Sequence, residues 1–140
     1  MLVKIAFSLI SMWLGISLFY TAFITPAAFK AIPQDKVGEF LGLTFPAFYR
    51  LGIFLFLVSA ILFFFEGVYI SAFLSVIGTA FMIFAEFLRG QIRKVRAKLV
   101  ENPSDKDLRE NFFNLHRFSA YSNFTSIISA LLIVLFQIIG

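Results

Sequence analysis

The sequence predicts an all-α integral membrane protein: a four-helix transmembrane bundle whose third and fourth helices extend into a cytoplasmic helical hairpin. The 140 residues are 60% hydrophobic and 14% charged, with 21 phenylalanines, whereas a soluble domain is usually about 45–50% apolar and about 25% charged. Four stretches without Asp, Glu, Lys or Arg contain 25, 15, 19 and 23 residues, and roughly 20 residues span a bilayer as a helix. These stretches are Ile5–Phe29, Leu51–Phe65, Gly67–Ala85 and Phe118–Gly140. Together the two observations exclude a soluble globular enzyme.

One transmembrane domain over residues 1–140 accounts for the chain, with spans at about residues 5–29, 46–65, 67–88 and 117–139. The first span is too long for the apolar core of a signal peptide and no A-x-A cleavage site closes it, so we expect it to be retained. The second stretch is too short alone, so its helix is predicted to start near Pro46, a residue tolerated in the first helical turn. Arg50 then lies one turn inside the membrane.

The third and fourth helices are predicted to run well beyond the membrane. Apolar residues at helical spacing continue the third helix: Ile92, Val95 and Leu99. Asn102-Pro103 ends this helix, because a residue before proline is driven out of the helical region. Ser104 with Asp107 then reads as a capping box that opens the next helix. The two helices, about Gly67–Glu101 and Ser104–Ile139, are each roughly 50 Å long, so their surplus beyond a core of about 30 Å forms the hairpin.

The distribution of basic residues predicts the orientation. With four spans, eleven of the 12 Lys and Arg fall on the side of the two longer polar segments, and Lys4 alone falls on the side of the termini. The positive-inside rule makes the first side cytoplasmic. We therefore expect a multi-pass protein of the plasma or bacterial inner membrane with both termini on the non-cytoplasmic side.

Small and polar residues are predicted to face the inside of the bundle, because lipid tails are as apolar as Leu and helices in lipid associate through small residues and hydrogen bonds. Each span carries such a stripe at steps of three and four, which favours a left-handed bundle with most Phe facing lipid. In the first two helices the stripes are Ser8, Ser11, Gly15, Ala22 and Thr25, then Gly52 and Ser59. In the last two they are Ser71, Ser75, Gly78 and Ala85, then His116, Ser119, Asn123, Ser126 and Ala130.

A polar pocket in the cytoplasmic half of the bundle is the candidate ligand site. Only Arg50 and Glu86 are charged and clearly within a span, at similar depths, so they are positioned to pair. The residues that reach this level are Tyr49, Arg50, Glu86, His116, Ser119 and Asn123. An anion or polar headgroup could bind Arg50 and His116. The alternative is a purely structural cluster that ties the helix ends together and snorkels to the interface.

A basic run follows the third span and is a candidate lipid- or partner-binding site. Its members are Arg89, Arg93, Lys94, Arg96 and Lys98. Three interpretations are open: an anchor for anionic headgroups, pairing with Asp105, Asp107 and Glu110 across the hairpin, or a site for a partner.

No cofactor or catalytic set is predicted. The chain has no Cys, which excludes disulfides, thiolate metal sites and iron–sulfur clusters. His116 is the only histidine, and together with Met12 and Met82 it does not supply the three or four ligands of a zinc or copper site. No Ser–His–acid arrangement can be assembled, so we expect a protein that is not an enzyme.

Two motifs resemble the transmembrane protein 205-like family. They are Leu108-Arg109-x-Asn111-Phe112-Phe113-x-x-His116-x-x-Ser119-x-x-x-Asn123 in the fourth helix and Phe45-Pro46-x-Phe48-Tyr49 in the second. The stretch Gly15…Pro26-x-x-Phe29 is a weaker match. The resemblance covers most of the chain and implies a four-span membrane fold without a reaction; bacterial members carry a domain-of-unknown-function label. Members often close the third helix with proline, where this chain has Arg89-Gly90-Gln91, so a straight third helix is expected here.

The sequence leaves two function classes open. The first is transport or permeation of a small ion or polar solute through the polar pocket, although there is no carboxylate at the midplane for proton coupling. The second is a non-catalytic scaffold or accessory subunit that docks partners or anionic lipid through residues 89–117. A redox or haem-linked enzyme has the weakest support, because one histidine supplies too few ligands. The expected partners are the bilayer with its anionic cytoplasmic headgroups and a possible homo-oligomer, with no nucleic acid.

Overall fold

The structure, a computed structural model that describes residues 1–140, confirms the all-α fold. Helix α1 (Leu2–Phe19) continues through a π-helical turn (Tyr20–Ile24) into α2 (Thr25–Ala31). The remaining helices are α3 (Gln34–Phe65), α4 (Tyr69–Glu101) and α5 (Lys106–Ile139). Four helical segments are long and apolar enough to cross a membrane. The first is the continuous segment from α1 to α2, and the other three are α3, α4 and α5. Helix α1 packs against α3 and α5, and α4 packs against the same two helices, which closes the bundle.

The long third and fourth helices of the prediction are present as α4 and α5. They contain 33 and 34 residues, which corresponds to roughly 50 Å each. Helix α4 ends at Glu101, directly before Asn102-Pro103, as predicted. The capping residue of α5 differs from the prediction: Asp105, and not Ser104, accepts hydrogen bonds from the backbone N–H groups of Asp107 and Leu108, at 3.0 and 3.2 Å. Its carboxylate satisfies two N–H groups that no helical carbonyl can reach.

The predicted start of the second helix near Pro46 is wrong, because α3 begins twelve residues earlier, at Gln34. Pro46 lies inside the helix, which therefore lacks one backbone hydrogen bond there. Tertiary contacts hold this part of α3 in place: Val37 is buried, and the hydroxyls of Tyr20 and Thr44 are hydrogen bonded. As a result three helices, and not a two-helix hairpin alone, form the end of the molecule that carries eleven of the Lys and Arg residues. We call it the basic end.

The predicted inner face of the first helix is also wrong. Ser8, Gly15 and Ala22 are exposed, and the buried residues of α1 are Ala6, Ile10, Trp13 and Ser17. The reason is complementary packing: Gly52 of α3 makes room for the indole of Trp13, and a Cβ placed on Gly52 would lie 2.6 Å from Trp13 Nε1. At such a contact, a residue with a small side chain on one helix lies against a large side chain of its neighbour.

The stripes of the other three helices are buried as predicted, apart from His116, which is exposed, and Asn123, which is half-buried. Six large side chains with no exposed surface fill the interior, and we call them the bundle centre: Ile10, Trp13, Phe56, Phe63, Met82 and Ile133. Thirteen of the 21 phenylalanines point outward, away from the bundle interior; that they face lipid stays a prediction.

Candidate functional site

The polar cluster predicted within the membrane divides into two parts in the structure. Arg50 and Glu86 form an ion pair with 2.9 Å between Nε and Oε1. The Arg50 side chain is 73% exposed, so this pair lies on the outer surface of the bundle, where it bridges α3 and α4. It is the only ion pair in the structure.

Tyr49, Ser119 and Asn123 form the second part, inside the bundle. The Tyr49 hydroxyl lies 3.4 Å from Ser119 Oγ, and this hydrogen bond is buried between the diagonally opposed helices α3 and α5. One helical turn beyond Ser119, the Asn123 Oδ1 atom is buried without a hydrogen-bond partner. A buried amide oxygen of this kind costs about 1–3 kcal/mol.

Several serine hydroxyls of α4 and α5 donate hydrogen bonds to backbone carbonyls of their own helix. Ser75 donates to the Ser71 carbonyl at 2.8 Å, and Ser122 and Ser126 donate to carbonyls of their own helix at 2.9 and 2.7 Å. Because these three hydroxyls are occupied within their own helices, the serine-rich contact between α4 and α5, which we call the serine seam, acts mainly as close packing. One hydrogen bond crosses it: Gln137 Nε2 of α5 donates to Ser71 Oγ of α4 at 2.9 Å.

A cavity of about 850 Å³ opens at the basic end, between α2, the start of α3, α4 and α5. We call it the basic-end cavity. Its lining residues from α2 and α3 are Phe29, Gln34, Gly38, Glu39, Leu41, Gly42 and Leu43, and those from α4 and α5 are Arg89, Ile92, Arg93, Arg96, Phe112, Phe113 and His116. Of the six residues predicted as a ligand site, only His116 lines this cavity; it stacks on Phe112 with 12° between the rings.

Three arginines of the predicted basic run face the cavity because they recur along α4 at steps of four and three, on one side of the helix. Arg89 is held in place: its Nη2 donates to the Leu41 carbonyl at 3.2 Å, and its Cζ lies 4.6 Å from the centroid of the Phe45 ring. Arg96 packs on the backbone of α3 at Gly38, where a Cβ would overlap the guanidinium.

The charges around this cavity are unbalanced. Glu39 is the only acidic residue in the lining, and it forms no ion pair with any of the arginines. Lys94 and Lys98, the other members of the basic run, are exposed outside the cavity. The pairing with Asp105, Asp107 and Glu110 that was one interpretation of the run does not form.

Sequence reasoning missed the α3 side of the cavity, because the second helix was expected to start only near Pro46. The signal was present: Val37, Leu41 and Phe45 recur at a spacing of four, which favours a helix face. Gly38 and Gly42, also four apart, then mark the side of α3 that lies against arginine side chains.

A second concave surface lies away from these charges. It is a groove of about 570 Å³ between α3 and α4, near the turn that joins them, and we call it the apolar groove. Its lining residues are Leu57, Ala60, Ile61, Phe64, Phe65, Tyr69, Ala72, Phe73 and Val76.

Comparison with known proteins assigns the family. A family model described as a domain of unknown function, DUF4149, matches residues 8–137. The chain belongs to this family. The DUF4149 match covers every residue that lines the basic-end cavity. The link to the transmembrane protein 205-like family stays a prediction.

An uncharacterized protein of Aquifex aeolicus (strain VF5) is 32% identical over 59 residues. The aligned part represents 42% of this chain and 45% of the relative's length, so the chain spans less than half of that protein. No solved structure matches the chain.

Proposed function

We propose that this protein is a non-catalytic membrane protein that binds an anionic group in the basic-end cavity. One observation carries the proposal: three arginines line an open cavity of about 850 Å³ and none of them has a carboxylate partner. Such a cavity suits a docking or accessory protein that holds an anionic ligand at one face of the bundle.

Electrostatics explains why an anion is the expected ligand. Arginine stays protonated in proteins, so the three guanidiniums repel one another. Against them stands the single carboxylate of Glu39, which leaves two positive charges uncompensated. A guanidinium offers a planar fork of N–H donors that matches phosphate and carboxylate oxygens, and hydrogen bonds between charged partners are roughly twice as strong as neutral ones.

Transport of a small ion or polar solute is the second candidate, and the unpartnered Asn123 Oδ1 is the observation in its favour. The interior beyond Asn123 argues against a path, because Trp13, Phe56 and Met82 have no exposed surface there. The serine seam offers few free polar groups, since the hydroxyls of Ser75, Ser122 and Ser126 donate to carbonyls of their own helices. The packed bundle therefore supports binding at one end over passage through the middle.

The site belongs, in this proposal, to the cytoplasmic face of the plasma or bacterial inner membrane. Eleven of the 12 basic residues lie at the basic end, and cytoplasmic segments carry such an excess of Lys and Arg. Both termini then lie on the opposite side.

Isothermal titration of the detergent-solubilised protein with inorganic diphosphate tests this function. The variant Arg93→Gln/Arg96→Gln removes two cavity charges, and Lys94→Gln/Lys98→Gln removes the same charge from the same helix outside the cavity. Loss of one charge-assisted hydrogen bond costs about 1.5–3 kcal/mol, so we expect the affinity to fall about tenfold or more in the first variant and to stay nearly unchanged in the second.

If both variants bound diphosphate equally weakly, the loss of net charge would explain the effect. That result would contradict a specific site. Transport is tested separately by loading proteoliposomes with the same anion. Protein-dependent flux that Asn123→Leu abolishes would favour the second candidate instead.

A further inference from the structure

The wall of the basic-end cavity is amphiphilic. Arginines line one part of it, and six lining residues are apolar: Phe29, Leu41, Leu43, Ile92, Phe112 and Phe113. Three of the apolar side chains are largely uncovered, with 59% of Phe29, 75% of Leu43 and 58% of Phe113 exposed. A small hydrophilic anion would leave these surfaces uncovered, whereas a ligand with an apolar tail would cover them.

The depth of the cavity in the membrane also favours an amphiphile. With Thr79 at the middle of the third span, Arg89 lies ten residues away along α4, or about 15 Å at 1.5 Å per residue. Arg96 is one further step of seven residues along the helix, at about 25 Å. The edge of the hydrocarbon core lies about 15 Å from the midplane and the headgroup region reaches about 20–22 Å. The arginines therefore bracket the level of lipid phosphates.

Two of the three arginines are free to bind. Arg89 already donates to the Leu41 carbonyl and lies over Phe45. Arg93 and Arg96 have no hydrogen-bond acceptor and no ion-pair partner in the protein. The absence of a side chain at Gly38 allows the Arg96 guanidinium to pack close to α3 at the cavity wall, where its donors line the opening.

We propose that the ligand of this cavity is a single phospholipid whose headgroup carries two negative charges. Its phosphate oxygens accept hydrogen bonds from Arg93 and Arg96, and an acyl chain packs against Phe29, Leu43 and Phe113. The two uncompensated charges of the lining match a dianionic headgroup such as a phosphate monoester. This inference rests on the proposed function, for which it names the ligand.

Four soluble probes separate the contributions of headgroup and chain: dihexanoyl phosphatidic acid, dihexanoyl phosphatidylglycerol, dihexanoyl phosphatidylcholine and glycerol 3-phosphate. Isothermal titration in detergent is expected to give the tightest binding for phosphatidic acid. We expect about tenfold weaker binding of the singly charged phosphatidylglycerol, since one charge-assisted contact is worth about that factor. Phosphatidylcholine and glycerol 3-phosphate should bind more weakly still, because the first lacks net charge and the second lacks the chains.

Two pairs of matched variants locate the lipid. Arg93→Gln/Arg96→Gln is expected to lower the affinity for phosphatidic acid at least tenfold, whereas Lys94→Gln/Lys98→Gln should have little effect on it. Phe113→Ala is expected to lower the affinity for phosphatidic acid severalfold and to leave the affinity for glycerol 3-phosphate unchanged. Its control, Phe118→Ala, alters a side chain of the same helix that is equally exposed, at 56%, but lies outside the cavity.

The outcomes distinguish this inference from the function on which it rests. In one outcome, glycerol 3-phosphate is bound as tightly as phosphatidic acid and with the same dependence on Arg93 and Arg96. That result would overturn the proposal of a lipid ligand but retain the anion site. Phosphatidylcholine that binds as tightly as phosphatidic acid would overturn the role of charge. If inorganic diphosphate binds but none of the anionic lipid probes does, the inference is wrong and the anion site is retained. If diphosphate fails to bind as well, the proposed function is also wrong.

Discussion

The bundle centre and the basic end share helices α3, α4 and α5, but they are packed in opposite ways. In the bundle centre, large side chains fill the space that glycines leave: Trp13 lies against Gly52, and Phe56 lies against Gly78. At the basic end, glycines of α3 face the guanidiniums of α4 around an open cavity. The first arrangement closes the interior and the second leaves charged groups accessible.

This difference separates the residues that hold the fold from those that would bind a ligand. Packing within lipid depends on close contact, since burial of apolar surface gives no net driving force between helices there. The bundle centre should therefore dominate stability, whereas the basic end tolerates substitution and controls affinity for anions.

Trp13→Ala should give the largest loss of stability, because it removes the largest side chain of the bundle centre. Filling by neighbours is incomplete after such a truncation, which costs about 3–5 kcal/mol. The free energy of unfolding measured by SDS titration in mixed micelles gives this loss. Phe19→Ala is the control, since Phe19 is 57% exposed and its truncation opens no internal space. A loss of stability that is no larger for Trp13→Ala than for Phe19→Ala would contradict a close-packed centre.

Gly52→Ala should destabilise the protein by overpacking. The new Cβ would lie 2.6 Å from Trp13 Nε1 and 2.9 Å from Met82 Sδ, and extra carbon in a filled core costs about 1–3 kcal/mol. Gly15→Ala is the matched control, because a Cβ there meets nothing within 4 Å. Alanine favours the helix over glycine by up to about 1 kcal/mol, so this control should be neutral or stabilising. If Gly15→Ala destabilised the protein more than Gly52→Ala, Gly15 would lie on the inner face of α1, as the sequence predicted.

Gly38→Ala should change affinity more than stability. Its Cβ would overlap the Arg96 guanidinium, which is flexible and exposed and can move away. We expect the free energy of unfolding to change by less than about 1 kcal/mol and the affinity for phosphatidic acid to fall about tenfold through the displaced donor. In the control Gly42→Ala the Cβ would lie 4.0 Å from Arg89 Nη2, an ordinary contact. Unchanged affinity in Gly38→Ala would remove Arg96 from the site.

The Arg50–Glu86 pair should have the smallest effect. A double-mutant cycle of Arg50→Gln and Glu86→Gln is expected to give a coupling of about 0–1 kcal/mol, as for other exposed pairs. Titration with phosphatidic acid should give the same affinity in all three variants, because neither residue lines the basic-end cavity. A tenfold loss of affinity in Arg50→Gln would return this pair to the ligand site that the sequence predicted.

Much of the fold follows from the sequence because the periodic, charge-free stretches are long. The end of α4 at Glu101 is correct, both long helices start within two residues of the predicted positions, and Arg50 pairs with Glu86 as expected. The start of α3 was missed because Pro46 resembles a helix start. Contacts of the preceding residues with the π-helical turn and with α4 hold the helix through this proline.

The candidate site was less accessible to sequence reasoning. Depth along a helix correctly placed Arg50 beside Glu86, but depth does not say whether a side chain points into the bundle or away from it. The basic run was recognised as a whole, whereas only Arg89, Arg93 and Arg96 face the cavity. That distinction depends on the rotation of α4 against α3, which follows from tertiary packing such as that of Phe56 on Gly78 and not from the local sequence.

Photolabelling compares the two concave surfaces of the molecule directly. Phosphatidic acid with a photoreactive group on one acyl chain is crosslinked to the protein in bilayers, and the labelled residues are identified by peptide mass spectrometry. We expect labelling of the basic-end cavity at Phe29, Leu43 or Phe113, and loss of that labelling in Arg93→Gln/Arg96→Gln. Labelling of the apolar groove to the same extent, or cavity labelling that survives the loss of both arginines, would contradict it.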